Sequence, residues 1–402
     1  MRITIGLCLA FGMSLVLPLA AGAADWPQWR GMQRDGVSNE VPQQLPAKHL
    51  LWRRALAGAT HAGIAVSGGY VVVPDHGEDK DTIRCFTADK GDVVWTYAYD
   101  CKNADMGYGA GPRATPLIVG GKVYTLSAMG DLYCFDLAKG TVHWQRNLAT
   151  EFMATVPAWG YCSSPLIVDG KLIVNPGAET ASLAVLDPAT GKTLWQTPGK
   201  PAAYGSFIAG SFGGHQQLIG YDAESIGGWE IATGKRLWTL APENAGDYFV
   251  GTPLNVNGKL LIASDTNAAR LYDFTPDGLI VPKPVATSPD LAPDMASPVA
   301  LDGLVYGASG SLYCLDPAAG LKTAWSSGDE AALADFATII AGNHRLLVVT
   351  EKGICLLLSA QGKKCEILGR LELCRQTLSH PALANGALYV RDDKWLYCYA
   401  MK

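Results

Sequence analysis

Polar and aromatic side chains that could bind a ligand recur in the stretches that precede a repeated, proline-containing apolar segment. They comprise carboxylates, imidazoles, one guanidinium and phenol rings, namely His61, Asp105, Tyr108, Arg113, Tyr161, Tyr204, Asp247, Tyr248, Asp294, Asp335 and His380. If the fold gathers them on one surface, such a set could bind a peptide segment, a glycan or a small acid. Two of the four carboxylates could also act as the acid and base of a glycosidase or a polysaccharide lyase. Their spacing along the chain does not place any two at a productive distance.

The motifs of common catalytic and metal sites are absent from the sequence. It contains no Cys-x-x-Cys, no His-Glu-x-x-His and no Gly-x-Ser-x-Gly, which are signatures of zinc sites, metalloproteases and serine hydrolases. Residues 75–81, Asp-His-Gly-Glu-Asp-Lys-Asp, bring several oxygen ligands close together. Their spacing does not fit an EF-hand, so we interpret this segment as a solvated acidic loop between two strands rather than a cation site. We expect no bound metal.

The overall composition argues against a nucleic-acid partner. The chain has 402 residues, 17% of them charged, and a net charge of −5 without a basic block. Proteins that bind nucleic acid usually carry a basic patch that neutralises phosphates. The sequence has no such electrostatic footprint.

The first 24 residues have the features of an export signal. Arg2 precedes a nearly continuous apolar stretch over residues 3–19, and residues 21–23, Ala-Gly-Ala, are small enough for a signal peptidase. The stretch is shorter than the ~20 residues that span a bilayer, and we expect no transmembrane segment. No Cys follows the small residues, which disfavours a lipid anchor. We predict a cleaved signal peptide at 1–24 and a periplasmic or secreted mature protein.

A repeated unit accounts for most of the chain. The sequence from Gly130 to Trp144 recurs from Gly310 to Trp325, and shorter copies that keep a glycine and the tryptophan end at Trp95, Trp195 and Trp238. Upstream of these copies lie two short apolar strands joined by an Asp-Gly, Asn-Gly or Gly-Gly turn. Each unit therefore contains four short strands, which we term A to D in chain order. The period of 45 to 49 residues between equivalent prolines predicts eight units.

The two ends of the chain are predicted to share one blade. The last unit stops after strand C, whereas the segment around Trp52 precedes the first full unit and has no turn of its own. Pairing of the two ends would close the ring and leave no free sheet edge. The sequence therefore predicts an all-β fold, an eight-bladed β-propeller of four-stranded antiparallel blades closed by its N- and C-terminal strands. We expect one domain over residues 25–402, with 25–47 as an N-terminal extension, 48–56 as the closing strand and 57–402 as the blades.

Two stretches of the sequence resemble a known family. Residues 134–144 follow the pattern Cys-x-Asp-x-x-x-Gly-x-x-x-Trp, which is similar to the tryptophan-docking motif of propellers with PQQ-like (pyrroloquinoline quinone-type) repeats, including the BamB-like proteins. Residues 25–38 also resemble the start of many bacterial members. The similarity covers essentially the whole mature chain. It implies the propeller fold and is unspecific for activity.

The resemblance implies a structural role for most of the tryptophans. In that family the tryptophan of strand D packs against the neighbouring blade and buries a large ring between two sheets. The matching residues here are Trp52, Trp95, Trp144, Trp195, Trp238 and Trp325. The fifth and seventh units lack the tryptophan, and the spacing puts Pro282 and Glu366 in its place.

Of the ten cysteines, Cys8 lies in the predicted signal peptide, and the other nine fall into two groups by their position in the repeat. One group shares the small-residue position of strand C and is expected to consist of buried thiols, namely Cys85, Cys134, Cys314 and Cys398. Five others lie outside that register, and two pairs among them, Cys101 with Cys162 and Cys365 with Cys374, are open candidates for disulfides in an exported protein.

We expect ligands to bind at the propeller face where the A strands begin, because the connections between blades converge there around the channel. The favoured function is a non-catalytic, monomeric binding or scaffold module for a protein, a peptide or a glycan, similar in kind to BamB-like propellers and without a cofactor. An alternative that the resemblance suggests is a quinoprotein dehydrogenase with PQQ and Ca²⁺ in the channel. Those enzymes carry an adjacent Cys-Cys pair against the quinone, which this sequence lacks. Another propeller enzyme, a lyase or a glycosidase, is the third possibility.

Overall fold

The computed structural model describes residues 25–58, 60–102, 106–328, 330, 333, 336–361 and 363–402. β1 spans Leu50–Ala55. Blade 1 consists of β2 (Ala65–Ser67), β3 (Tyr70–Gly77), β4 (Lys80–Thr87) and β5 (Val93–Asp100). Blade 2 consists of β6 (Leu117–Val119), β7 (Lys122–Leu126), β8 (Asp131–Asp136) and β9 (Val142–Asn147), followed by the short helix α1 (Leu148–Phe152). Blade 3 consists of β10 (Leu166–Val168), β11 (Lys171–Val174), β12 (Leu183–Leu186) and β13 (Thr193–Thr197).

The remaining blades follow the same order. Blade 4 consists of β14 (Ile208–Phe212), β15 (His215–Asp222), β16 (Ser225–Trp229) and β17 (Arg236–Leu240). Blade 5 consists of β18 (Leu254–Val256), β19 (Lys259–Ser264), β20 (Ala268–Tyr272) and β21 (Ala286–Ser288). Blade 6 consists of β22 (Val299–Leu301), β23 (Leu304–Ala308), β24 (Leu312–Asp316) and β25 (Lys322–Ser326), with a 3₁₀ turn at Pro317–Ala319. Blade 7 consists of β26 (Ala337–Gly342), β27 (Arg345–Thr350), β28 (Ile354–Ser359) and β29 (Ile367–Glu372). Blade 8 contains β30 (Ala382–Ala384), β31 (Ala387–Arg391) and β32 (Trp395–Ala400).

The ring closes through the two ends of the chain. β1 pairs antiparallel with β32, with Trp52 opposite Cys398, and becomes the outer strand of blade 8. Each of the eight sheets has four antiparallel strands in chain order, except that β1 supplies the outer strand of blade 8. The predicted eight-bladed propeller and its mode of closure are confirmed. Because the outer edge of blade 8 comes from the N-terminal side, the first and last parts of the chain are held by one sheet.

The tryptophans of the outer strands pack on the turn between strands C and D of the next blade. A Cβ on Gly140 of blade 2 would lie 2.5 Å from the ring of Trp95 in blade 1, and the Trp95 indole N–H donates to the Leu137 carbonyl at 2.7 Å. The same contact between ring and glycine joins Trp52 to Gly91, Trp144 to Gly191 and Trp195 to Gly234, although the Trp195 indole N–H has no partner among the described residues. Glycine is required at these turns because φ is positive and the ring leaves no room for a side chain.

The other two tryptophans dock differently. The Trp238 indole N–H donates to the Gln217 side chain of its own blade at 2.7 Å, and the ring packs 5.8 Å from Phe274 in blade 5. Trp325 lies 5.9 Å from Tyr306 and belongs to the core cluster between blades 6 and 7.

The residues that replace the tryptophan in blades 5 and 7 differ from the prediction. The pairing register puts Ala286 opposite Leu271 and Gly369 opposite Leu357, rather than Pro282 and Glu366. The prediction was wrong because it counted from the preceding turn, and the connection between strands C and D is longer in these two blades. In blade 7, Leu45 of the N-terminal segment packs against Gly369 and occupies the place of the missing ring.

The acidic segment 75–81 is a hairpin rather than the solvated loop we expected. Only Glu78 and Asp79 lie between β3 and β4, and both have positive φ, as in a two-residue hairpin turn. Asp75 is buried and accepts from Arg84 at 2.8 Å, while buried Asp81 pairs with His76 at 2.7 Å. These carboxylates therefore stabilise the hairpin.

The cysteines of the described chain are all free thiols. Cys85, Cys134, Cys314 and Cys398 are buried at the shared register of strand C, opposite Trp95, Trp144, Trp325 and Trp52. Neither pair that was open as a disulfide is joined. Within the described residues, no helix has the length and apolar character needed to cross a bilayer.

Candidate functional site: a pocket in the central channel

A pocket opens at the propeller face where the A strands begin. Its lining includes residues from all eight connections between blades, namely His61, Tyr108, Arg113, Trp159, Cys162, Tyr204, Ser206, Val250, Asp294, Met295, Phe336, Leu378 and His380, together with Thr338 and Trp29. The cavity volume is about 140 Å³. Cavities of about 150 Å³ hold one benzene molecule, so the pocket has room for a single ring or side chain.

The N-terminal segment, residues 25–48, crosses the channel beneath this pocket. Trp26 exchanges two backbone hydrogen bonds with Val66 in blade 1, and Ser38 donates to Ala341 in blade 7, all at 2.8 Å. Between them, the Trp29 indole N–H donates to Thr252 of blade 5 at 2.9 Å, and its ring lies 4.8 Å from that of His380. The segment ties opposite sides of the ring together, and Trp29 closes the inner end of the pocket.

Two arginines of the N-terminal segment are buried in the channel and held by carbonyl groups. Arg30 donates to the carbonyls of Asp35 and Pro298, and Arg34 donates to those of Ser164 and Pro165. Neither makes an ion pair with a carboxylate of the described chain. Burial lowers the pKa of Arg30 to about 10 and that of Arg34 to about 9, so both remain charged at neutral pH.

Arg113 brings a third guanidinium to the wall of the pocket. Its side chain is 9% exposed, and Nη2 donates to the carbonyls of Gly107 and Gly109 at 2.9 and 2.8 Å. Its buried Nε has no hydrogen-bond partner among the described residues. Burial lowers the pKa of Arg113, which reflects the cost of holding this charge away from water.

Four aromatic rings form a cluster at the mouth of the pocket, which we call the aromatic cluster: Tyr108, Trp159, Tyr204 and Tyr248. Trp159 lies at its centre, with ring centroids 4.8 Å from Tyr204, 4.7 Å from Tyr248 and 6.2 Å from Tyr108. Tyr248 is 51% exposed and Tyr108 is 56% exposed. Large exposed rings grouped on one face are typical of interaction sites.

The two histidines of the pocket are held in the neutral form. Burial lowers the pKa of His380 to about 3, with a further contribution from the nearby charge of Arg30. Burial also lowers the pKa of His61, whose ring nitrogen bonds the Tyr108 carbonyl. The His380 imidazole is therefore not poised to exchange protons near neutral pH, and the shift of His61 favours its neutral form.

Comparison with known proteins identifies the family. The family model described as outer membrane protein assembly factor BamB matches residues 79–327. The chain belongs to this family. No curated protein sequence matches it.

Solved structures share the fold at low sequence identity. BamB from Moraxella catarrhalis is 17% identical, with 88% of this chain and 100% of that chain covered and a TM-score of 0.62. A quinohemoprotein alcohol dehydrogenase from Comamonas testosteroni is 16% identical, with coverage of 94% and 80% and a TM-score of 0.66. A europium-containing methanol dehydrogenase is 12% identical, with coverage of 94% and 98% and a TM-score of 0.69. At these identities the likeness shows the fold alone.

The structure gathers most of the predicted site residues and separates two. His61, Tyr108, Arg113, Tyr204, Asp294 and His380 line the pocket, and Tyr248 joins the aromatic cluster. Tyr161 is buried elsewhere and donates to the Pro176 carbonyl at 2.8 Å. Asp247 is buried, and its carboxylate accepts hydrogen bonds from the Phe249 N–H, the Ser264 hydroxyl and the Asn267 side-chain amide. Asp105 and Asp335 lie outside the described residues.

Sequence reasoning missed the residues that close and charge the pocket. Trp29, Arg30 and Arg34 lie in the opening stretch, whose only signal was its resemblance to other members of the family. Trp159 and Phe336 stand outside the repeated motif, so no periodicity marks them. The one feature of the sequence that could have placed them in the channel is their position between strand D of one blade and strand A of the next.

The described residues do not fit a quinone held with Ca²⁺. Calcium takes six to eight oxygen ligands, whereas Asp294 is the one carboxylate in the described lining. No group of three or more His, Cys, Asp or Glu side chains with metal-ligand spacing occurs in the described part of the chain. Burial and the negative charge of Asp265 raise the pKa of Asp294 above its usual range.

Proposed function

We propose that this protein is a non-catalytic binding or scaffold module that receives part of a protein, a peptide or a glycan in the channel pocket. The aromatic cluster would make the first contact, and the pocket would take one ring or side chain. Because Trp29 closes the inner end, a ligand enters and leaves from one face and cannot thread through the ring.

The observation that carries this proposal is the composition of the pocket. Every connection between blades contributes to its lining, while Tyr108 and Tyr248 of the aromatic cluster remain exposed at the mouth. Apolar and aromatic walls with a few convergent polar groups are typical of binding sites. The neutral histidines and the single carboxylate in the described lining support binding better than acid–base catalysis, which needs groups that titrate near the working pH.

We also propose that the mature protein is a single monomeric domain, residues 25–402, outside the cytoplasm, after removal of a signal peptide at 1–24. Membership of a family described as an outer membrane protein assembly factor supports a periplasmic location. Sequencing the N-terminus of protein recovered from the periplasmic fraction tests this, and we expect it to begin near Asp25.

Peptide and glycan arrays probed with three forms of the mature protein test the binding function. We expect the wild type to bind a subset of ligands and Trp159→Ala to lose at least about fivefold in affinity, since a stacked ring contributes roughly 1–3 kcal/mol. Met153→Ala is the matched control, because Met153 is 87% exposed and lies outside the pocket.

Equal binding by Trp159→Ala, or blank arrays, would contradict the proposal. A different result would show that the protein is an enzyme. If addition of PQQ and Ca²⁺ produced a bound chromophore and dye-linked oxidation of alcohols, the protein would be a quinoprotein dehydrogenase.

A further inference from the structure

The channel carries positive charge that the described residues do not neutralise. Arg113 lies in the pocket wall, and Arg30 and Arg34 lie in the N-terminal segment beneath it. All three donate mainly to carbonyl groups, none pairs with a carboxylate of the described chain, and each has a buried Nε without a partner. These charges are buried although removing an unpaired charge from water costs folding free energy.

The shape and chemistry of the pocket restrict what could neutralise that charge. Its volume of about 140 Å³ suits one ring, and Trp29, Tyr204 and Phe336 supply aromatic walls. Val250, Met295 and Leu378 make the lining mainly apolar, and against these side chains the hydroxyl groups of a sugar would lose hydrogen bonds to water. Arg113 would oppose a cationic ligand, and Asp294, the one carboxylate of the described lining, would oppose an anion beside it, so an anionic group must bind on the Arg113 side of the pocket.

We propose that the pocket recognises a carboxylate attached to a single aromatic ring, with Arg113 as the partner of the carboxylate. This inference rests on the proposed binding function and names the ligand chemistry for the same pocket. The Arg113 charge forms an ion pair with the carboxylate, and the ring lies among the aromatic walls. The carboxylate could belong to a free arylalkanoic acid or to the C-terminal residue of a protein chain, because both present the same groups.

Binding of matched acid and amide probes tests the inference. The probes are phenylacetate and phenylacetamide for a free acid, and Gly-Gly-Phe with a free or an amidated C-terminus for a chain end. Tryptophan fluorescence and calorimetry report binding to the full mature protein. We expect each acid to bind about 10- to 100-fold more tightly than its amide, the range of a charge-assisted hydrogen bond.

Variants assign the preference to Arg113. We expect Arg113→Gln to abolish the preference for the acid, and Arg113→Lys to retain part of it because the charge remains. Since Arg113 also holds the turn at Gly107 and Gly109, the near-UV circular dichroism of each variant is compared with that of the wild type. Arg53→Gln, on the outer strand of blade 8, is the matched control and should behave as the wild type.

The outcomes separate this inference from the binding function. Equal affinity for acid and amide, or a preference that survives in Arg113→Gln, overturns the inference. If neither probe binds while an array ligand still depends on Trp159, the inference fails and the binding function stands. If the arrays are also blank, both fail. If phenylacetate binds and Gly-Gly-Phe does not, the ligand is a free acid. If Gly-Gly-Phe with a free C-terminus binds and phenylacetate does not, the ligand is the C-terminal residue of a protein chain.

Discussion

In the outer ring of the propeller one contact is repeated from blade to blade, whereas in the central channel every connection contributes a different side chain. A tryptophan of one blade rests on a glycine of the next at Gly91, Gly140, Gly191 and Gly234. The channel instead combines Arg113, Trp159, Asp294 and His380 with Trp29 from outside the repeat. The repeated contacts stabilise the ring, and the irregular ones give the pocket its chemistry. Substitutions in the two regions should therefore have different consequences.

The largest effect is expected from filling one of the repeated glycines. In Gly140→Ala the new Cβ would meet the Trp95 ring at 2.5 Å, and φ is +68°. Backbone strain and overpacking together should lower the free energy of unfolding by about 2 to 5 kcal/mol. Gly320→Ala is the matched control, because φ is +73° but no atom lies within 4 Å of its Cβ. It should cost only about 1 to 2 kcal/mol. Urea unfolding of both variants measures the difference, and equal losses would show that the ring contact does not matter.

In the channel, protonation of His380 should destabilise the fold. Its pKa is about 3 in the native protein and 6.5 in an ordinary environment, so the unfolded chain binds the proton first as the pH falls. Stability should therefore decrease below pH 6.5, by roughly 3 kcal/mol at pH 4. His380→Asn should lack this part of the pH dependence, whereas replacement of exposed His143 should leave it unchanged. Parallel curves for wild type and His380→Asn between pH 7 and 4 would contradict the buried, neutral imidazole.

A smaller effect is expected where the repeated contact is replaced by a different one. Leu45 packs against Gly369, which stands where six other blades have a tryptophan, and a Cβ on Gly369 would lie 3.2 Å from Leu45 Cδ1. Because Leu45 is only half-buried, Leu45→Ala should lower the free energy of unfolding by about 1 to 2 kcal/mol, at or below the lower end of the range for buried leucines. Leu194→Ala, at a residue 52% exposed, should change it by less than about 0.5 kcal/mol. A Leu45 variant as stable as the wild type would show that blade 7 needs no substitute for the ring.

The same contrast explains what the sequence could predict. The repeated motif occurs several times in the sequence. It therefore predicted the Gly and Trp positions, the number of blades and the closure by Trp52. The register of blades 5 and 7 could not be predicted, because hydrogen-bond pairing rather than spacing decides that Ala286 and Gly369 replace the tryptophan. Most of the predicted pocket residues were found from their place between strands D and A. Trp29, Arg30 and Arg34 were not, since a non-repeated segment gives no periodic signal of where it packs.

The most direct test of the account compares one tryptophan from each region in the same two assays. Melting temperature and array binding are measured for the wild type, Trp95→Ala and Trp159→Ala. We predict that Trp95→Ala melts at a clearly lower temperature but, below it, binds the same ligands as the wild type, and that Trp159→Ala melts near the wild-type temperature and loses binding. Loss of binding in Trp95→Ala at temperatures where it remains folded, or undiminished binding by Trp159→Ala, would contradict the separation of a stabilising outer ring from a ligand-binding channel.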